Sequence, residues 1–260
     1  MRLGLIGFGN IGRTLCEVLA REGAAPAALC LLRRPGHPPV PGAETVTRAA
    51  ELVTFAPDLV IECAGAEAVA AHAAPCLAAG IDTVLASVGA LADPALETRL
   101  CAAARAGRAR LILPAGALGG VDLVSALRTS GIERLRYTGR KPPAAWAGSA
   151  AEELVDLRGL TGPVTFFQGS AREAARRFPK NANVAATLAL AGPGLEATEV
   201  RLVADPGVTR NVHEVSVRAG AADMEIRIEG RPSPENPRTS LATVHSLARE
   251  VLNRRRVLAV

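Results

Sequence analysis

Apolar residues in the first half of the chain form short unbroken runs separated by amphipathic stretches. The runs at 3–6, 27–32, 58–63, 83–87 and 110–113 predict buried strands, and the 3.6-residue periodicity near 10–21, 66–79 and 94–106 predicts helices. This alternation implies a parallel sheet with helices on both faces. From about Val121 the pattern changes to longer strands of alternating polarity at 134–138, 164–168, 199–204, 211–218 and 224–229. Val215 and Val217 share a face with His213, while Glu214, Ser216 and Arg218 point the other way. Met224, Ile226 and Ile228 alternate in the same manner with Glu225, Arg227 and Glu229. This half predicts a mainly antiparallel sheet with one buried face. The fold class is therefore α/β: a Rossmann-type doubly wound parallel sheet over 1–120, followed over 121–238 by an α+β domain with a mainly antiparallel sheet, which reads as a substrate domain. Pro232 to Pro237 read as a rigid connector, with Thr239 or Ser240 as the N-cap of a closing helix; 239–260 are expected to return to the first domain.

The first strand runs directly into Gly7-Phe8-Gly9-Asn10-Ile11-Gly12, and a helix follows. That strand–turn–helix context is what the Rossmann dinucleotide fingerprint requires: Gly7 for the tight turn, Gly9 for backbone approach to the pyrophosphate, Gly12 for close helix packing. The pyrophosphate would sit at the positive end of the helix dipole. A strong NAD preference calls for an acid at the end of the second strand, to bind the ribose hydroxyls. Arg33 and Arg34 stand there instead, a pair suited to a 2′-phosphate, so NADP is expected to serve at least as well as NAD. Small-residue turns end the later strands at Cys63-Ala64-Gly65, Ser87-Val88-Gly89 and Ala115-Gly116-Ala117, and these are expected to line the cofactor crevice.

Composition narrows the partners. The 260 residues suit one large or two small domains, and a net charge of +5 is spread along the chain rather than gathered in a stripe. Arg254-Arg255-Arg256 is the one basic run, and it ends a predicted helix, where cations meet the dipole favourably. With no basic stripe and no reading motif, nucleic-acid binding is not expected. Five cysteines without paired spacing indicate neither a disulfide framework nor zinc. The N-terminal strand is not a signal sequence and no apolar run is long enough to span a bilayer, so a cytoplasmic protein is expected.

Two places carry candidate chemistry. Phe178-Pro179-Lys180-Asn181-Ala182-Asn183-Val184 puts a Lys and two Asn at a helix entrance; one Asn is accounted for as a cap, which leaves the other and Lys180 for a polar pocket. Lys180 is one of only two lysines, the other being Lys141. Among the four histidines, His37 lies in a Pro/Gly loop, and His72 and His245 on predicted helices. His213 lies on the inward face of a strand, where it is either a hydrogen-bonded core residue or a proton-transfer group. Periodicity leaves both open.

The chain resembles the L-aspartate dehydrogenase family from end to end. The resemblance rests on Gly7 to Gly12, Ser87-Val88-Gly89-Ala90-Leu91, Pro114-Ala115-Gly116-Ala117-Leu118-Gly119-Gly120-Val121-Asp122, Phe178 to Val184, Asn211-Val212-His213 and Pro237-Arg238-Thr239-Ser240. It implies a two-domain NAD(P)-dependent enzyme, commonly a homodimer, that oxidises L-aspartate to iminoaspartate. Hydrolysis of the imine then gives oxaloacetate and ammonia, and the imine also links the family to NAD biosynthesis. It places the catalytic histidine on His213 and two cofactor contacts on Ala117 and Asn183. With that assignment, Lys180 becomes the expected anchor of a substrate carboxylate. Two departures stand out: Ala115 where the family often has Ser, and Arg rather than an acid after the second strand. Two other readings remain: a different two-domain reductase of aspartate-derived metabolites, and a non-catalytic NAD(P)-binding sensor.

Overall fold

The computed structural model describes residues 1–179, 182–233 and 236–259, with the backbone course alone for 232, 233 and 236–239. The chain divides into two compact units, Met1–Pro114 with Thr243–Val260, and Ala115–Ala242.

In the first unit, β1 (Arg2–Ile6), β2 (Ala28–Leu32), β3 (Glu44–Val46), β4 (Leu59–Glu62), β5 (Thr83–Leu85) and β6 (Leu111–Ile112) form an all-parallel sheet. Its order is β3-β2-β1-β4-β5-β6. The order reverses between β1 and β4, the switch point at which a doubly wound sheet opens a crevice beyond its strand ends. Helices α1 (Asn10–Arg21), α2 (Ala49–Thr54), α3 (Ala66–Ala68), α4 (Ala74–Ala78) and α5 (Pro94–Gly107) complete the unit. Leu3, Leu5, Leu31, Leu59, Ile61 and Val84 pack with Leu15, Val18 and Leu19 of α1. The closing helix (Leu241–Asn253) adds Val244, Leu247, Ala248 and Val251 to the same core, the spacing of one apolar stripe.

Three expectations about this unit change. The helix expected over 66–79 is interrupted by a wide turn, Val69–Ala73, because Pro75 has no N–H to continue the ladder. β3 and α2 leave no pattern in the sequence; at three and six residues they are too short for periodicity to register. The arginine run lies beyond the closing helix and makes specific ion pairs: Arg254 meets Asp82, and Arg256 reaches Glu22 at 3.5 Å.

In the second unit, β7 (Ile132–Lys141), β8 (Val164–Ser170), β9 (Thr198–Ala204), β10 (Val212–Ala219) and β11 (Asp223–Glu229) are ordered β11-β10-β7-β9-β8. Every pair is antiparallel except β7 with β9, which is parallel. Alternation reveals which face is buried, not the direction of the neighbour, so the sequence is silent on that pair. The buried face carries Leu135, Tyr137, Val200, Leu202, His213, Val215 and Val217. Helices α6 (Val121–Leu127), α7 (Ala171–Arg177) and α8 (Asn183–Ala191) belong to this unit. A capping box starts α7: the Glu173 N–H donates to Ser170 Oγ at 3.2 Å and the Ser170 N–H to Glu173 Oε2 at 2.7 Å.

Of the two cap candidates at α8, Asn181 or Asn183, the first lies outside the described residues. Asn183 is the first residue of α8, and Ala182 occupies the cap position with no side-chain bond. Ser240 does precede the closing helix, but its buried Oγ makes no hydrogen bond among the described residues. The stretch read as a rigid connector forms a short ladder of β12 (Pro232–Ser233) and β13 (Asn236–Ser240); Pro234 and Glu235 lie outside the described residues.

Candidate active site

The glycine turn divides its tasks by geometry. Gly7 sits at φ +92°, and a Cβ there would lie 2.6 Å from that of Ala64, so any side chain meets both backbone strain and a clash. Gly9 has no atom within 4 Å of a built Cβ, which leaves the entrance of α1 open. A Cβ on Gly12 would meet the Gly7 carbonyl at 3.2 Å and Cys63 Sγ at 3.4 Å, the tight seat of helix on turn. Asn10, Ile11 and Gly12 form the first turn of α1, which carries no acidic residue and no side-chain cap. Its leading N–H groups and dipole suit an anion.

A cleft of about 580 Å³ opens here, lined by Gly7, Phe8, Gly9, Arg33, Arg34, Cys63 and Ala64 among others. A dinucleotide fits these features: an open glycine and a helix start without an acidic residue for the pyrophosphate, with Arg33 and Arg34 in the same cleft. Arg33 is held in place, donating to the Pro38 carbonyl at 2.8 Å with its guanidinium 5.9 Å from the Phe8 ring centroid. Arg34 is exposed. His37 and Thr47 line the same cleft, as does one carboxylate, that of Glu67, which the sequence had not suggested. The Cys63 thiol donates to the Gly7 carbonyl at 3.4 Å, and burial pushes its pKa far up, so it is a packing group and not a nucleophile.

Ser87 and Val88 follow β5, and they meet a residue that the sequence reading missed. Glu62, fully buried at the end of β4, accepts from the N–H groups of Ala64 and Gly65 at 2.7 Å each. It also accepts from the Ser87 N–H and hydroxyl at 3.0 Å each. The available signal was an acid closing the apolar run Leu59-Val60-Ile61, a place where a charge without partners would be expensive.

Ala117 and Asn183 belong to the second unit, with Ala117 buried in the loop after β6 and Asn183 half-buried at the start of α8. Lys180 and Asn181 lie outside the described residues.

His213 is 4 % exposed and pairs in register with Gly139 of β7. Tyr137 and Lys141 flank that glycine on the same face. The Tyr137 hydroxyl lies 2.8 Å from His213 Nδ1, while Nε2 is buried with no hydrogen-bond partner among the described residues. Gly139 makes this possible, since a Cβ there would stand 2.9 Å from the Tyr137 hydroxyl. A glycine inside a strand often marks such a close approach. Lys141 is also buried, its Nζ 4.7 Å from the Trp146 ring centroid.

Electrostatics follow from that burial. Desolvation, with the nearby Lys141 charge adding to it, pushes the His213 pKa down to about 4. Desolvation brings Lys141 down to about 8. Near neutral pH the pair is therefore a neutral imidazole beside an ammonium. Tyr137 is pushed upward by burial and stays protonated. If Nδ1–H donates to the Tyr137 oxygen, Nε2 is a proton acceptor; in the other tautomer it is a donor. Lys141 is conspicuous in the sequence only as one of two lysines and Tyr137 not at all; the strand register is what brings both to His213.

The sequence model described as "Aspartate dehydrogenase, C-terminal" matches residues 122–254, and "Homoserine dehydrogenase, NAD binding domain" matches 7–114. An L-aspartate dehydrogenase of a Polaromonas species is 43 % identical over 100 % of both chains. One from Pseudomonas aeruginosa is 42 % identical, again over 100 % of both. The chain belongs to the aspartate dehydrogenase family. The crystal structure of the aspartate dehydrogenase from Thermotoga maritima matches with a TM-score of 0.82 at 28 % identity, covering 100 % of this chain and 99 % of that one. Both halves of this family member therefore have a counterpart in one solved enzyme, including the unit that carries His213.

The low pKa of His213 has a consequence for stability that does not depend on catalysis. The folded imidazole binds its proton near pH 4 and the unfolded one near its ordinary 6.5, so the unfolded chain takes up more protons between those values. This group's contribution is fully present above about pH 6.5 and is lost as pH falls toward 4, on the order of 3 kcal/mol in all. His213→Asn should lack that part of the acid sensitivity. Denaturant midpoints at pH 7 and pH 4.5 check it: wild type should lose more stability than the variant over the interval.

Proposed function

We propose that this chain catalyses NAD(P)-dependent oxidative deamination of L-aspartate to iminoaspartate, which is hydrolysed to oxaloacetate and ammonia. The observation that carries the reading is the buried His213, held by Tyr137 at Nδ1, with Nε2 unpaired among the described residues and Lys141 beside it. A histidine that served only packing would have no use for an unmatched, desolvated nitrogen.

A bound nicotinamide would supply the acceptor for the hydride leaving the substrate Cα. Gly7 to Gly12 would seat the pyrophosphate, with Cys63, Ala64, Ser87 and Val88 as further cofactor contacts of the first unit; Ala117 and Asn183 are the contacts assigned to the second unit. The Lys141 ammonium offers a point charge to one substrate carboxylate, and Lys180 to the other. A carboxylate arriving at Lys141 offsets the charge that depresses His213 and so raises the basicity of the imidazole as substrate binds. His213 Nε2 then takes the proton from the water that adds to the imine carbon, and returns it to the departing amine. Steady-state assays test the reading: L-aspartate should yield one ammonia for each reduced nicotinamide formed. Absence of cofactor reduction with L-aspartate under either NAD or NADP would contradict it.

Cofactor choice follows from Arg33 and Arg34. A charge-assisted guanidinium–phosphate contact contributes roughly 1.5–3 kcal/mol. Arg33→Ala/Arg34→Ala should therefore lose about tenfold or more in NADP affinity while NAD affinity changes little. Titration of both cofactors checks this, and an unchanged NADP affinity would make the pair an ordinary solvated loop.

We place the enzyme in the cytoplasm as a closed homodimer, built largely through the second unit's sheet and its neighbouring helices. The support is a broad sheet face whose edges call for cover. Light scattering at micromolar concentration should give twice the chain mass, and a monomer would contradict the assignment. Release of iminoaspartate would also make the enzyme a source of that imine for NAD biosynthesis.

A further inference from the structure

We infer that Glu62 is a positioning residue that shapes the nicotinamide half of the cofactor crevice; the inference rests on the dinucleotide reading of the first unit. The carboxylate is fully buried, yet it faces four donors, the N–H groups of Ala64, Gly65 and Ser87 and the Ser87 hydroxyl. Three of the four are backbone amides and can only donate, so the group that satisfies them is an acceptor at both oxygens. Burial pushes the carboxyl upward and these bonds pull against that shift.

The four bonds tie together two loops just beyond the end of the β4–β5 ladder, whose last backbone bond runs from the Ala86 N–H to the Glu62 carbonyl at 3.0 Å. Ala64 and Gly65 follow β4, and Ser87 follows β5. Ala64 in turn abuts Gly7, whose missing side chain gives it room. One side chain thereby sets the spacing of the loops after β4 and β5 and presses the first of them against the glycine turn.

Position in the sheet decides which half of the cofactor this serves. Arg33 and Arg34 follow β2, on the β2–β3 side of the switch point, where the adenosine half belongs. β4 and β5 lie on the opposite side of β1, which leaves them to the nicotinamide half. An adenosine-side ligand should therefore be indifferent to Glu62, and a whole dinucleotide should not.

ADP-ribose, which lacks nicotinamide, separates a local role from general loosening of the unit. Glu62→Gln replaces one acceptor edge by an amide that faces a backbone N–H; NAD(P) affinity should fall by roughly tenfold while ADP-ribose affinity stays within about twofold. Glu62→Asp keeps the charge but shortens the reach, and should shift the same way with the fold retained even if the Gln variant does not fold. Equal losses for NAD(P) and ADP-ribose, or an Asp variant indistinguishable from wild type, would overturn the assignment. Wild-type protein that binds neither NAD nor NADP would instead overturn the dinucleotide reading itself.

Discussion

His213→Ala should fold, bind the dinucleotide and turn over about 10²- to 10⁴-fold more slowly than wild type, the usual contribution of a general acid–base group. Some loss of stability will accompany it whatever the role, because the buried Tyr137 hydroxyl loses its partner at 2.8 Å and an unsatisfied buried polar group costs roughly 1–3 kcal/mol. Melting temperature alone therefore does not separate a catalytic histidine from a structural one. The two part on kcat, measured beside cofactor affinity. A variant with near wild-type kcat would end the catalytic assignment, however unstable it proved. His213→Asn sharpens the comparison: its side chain can still meet the Tyr137 hydroxyl but cannot carry a proton, so stability should recover while turnover does not.

The second large effect is expected at a residue with no functional group. Gly139→Ala would place a Cβ 2.9 Å from the Tyr137 hydroxyl and 3.3 Å from Leu202 Cδ2. The ring is fully buried and cannot swing into solvent, so the hydroxyl must leave its place against Nδ1. Displacement of a catalytic group by about 1 Å can lower the rate by about 10²-fold. Overpacking of this kind also destabilises by about 1–3 kcal/mol. Tyr137→Phe provides the control, since it removes the same hydrogen bond without adding volume. If Gly139→Ala slows turnover as Tyr137→Phe does, the glycine exists for that contact. Gly139→Ala with wild-type kcat would show that the hydrogen bond has no part in the rate.

Much of this was legible in the chain, for reasons that can be named. A buried parallel strand such as Leu3-Gly4-Leu5-Ile6 leaves an apolar run, and Gly7, Gly9 and Gly12 leave a spacing whose three positions answer to strain, open access and tight packing. Alternation along 211–218 likewise placed His213 on the buried face, where the structure has it. Other features depend on contacts distant in sequence. Tyr137 and His213 meet only because β7 and β10 pair in one register, and a shift of one residue would turn them to opposite faces. Glu62 and Ser87 are 25 positions apart and meet because β4 and β5 are neighbours. Asn183 and Ser240, each one of two cap candidates at its helix, illustrate a different limit. Both residues suit a cap, but residue type does not fix which one stands at the boundary, or whether its side chain turns back to the helix.

The proposed activity requires that a hydride pass from the Cα of L-aspartate to the nicotinamide. L-Aspartate deuterated at C2, incubated with the purified protein and NADP or NAD, tests it in one step. The reduced nicotinamide should carry the deuterium at C4, with one equivalent of ammonia released for each equivalent transferred. Reduced nicotinamide without the label, or no reduction at all with either cofactor, would contradict it.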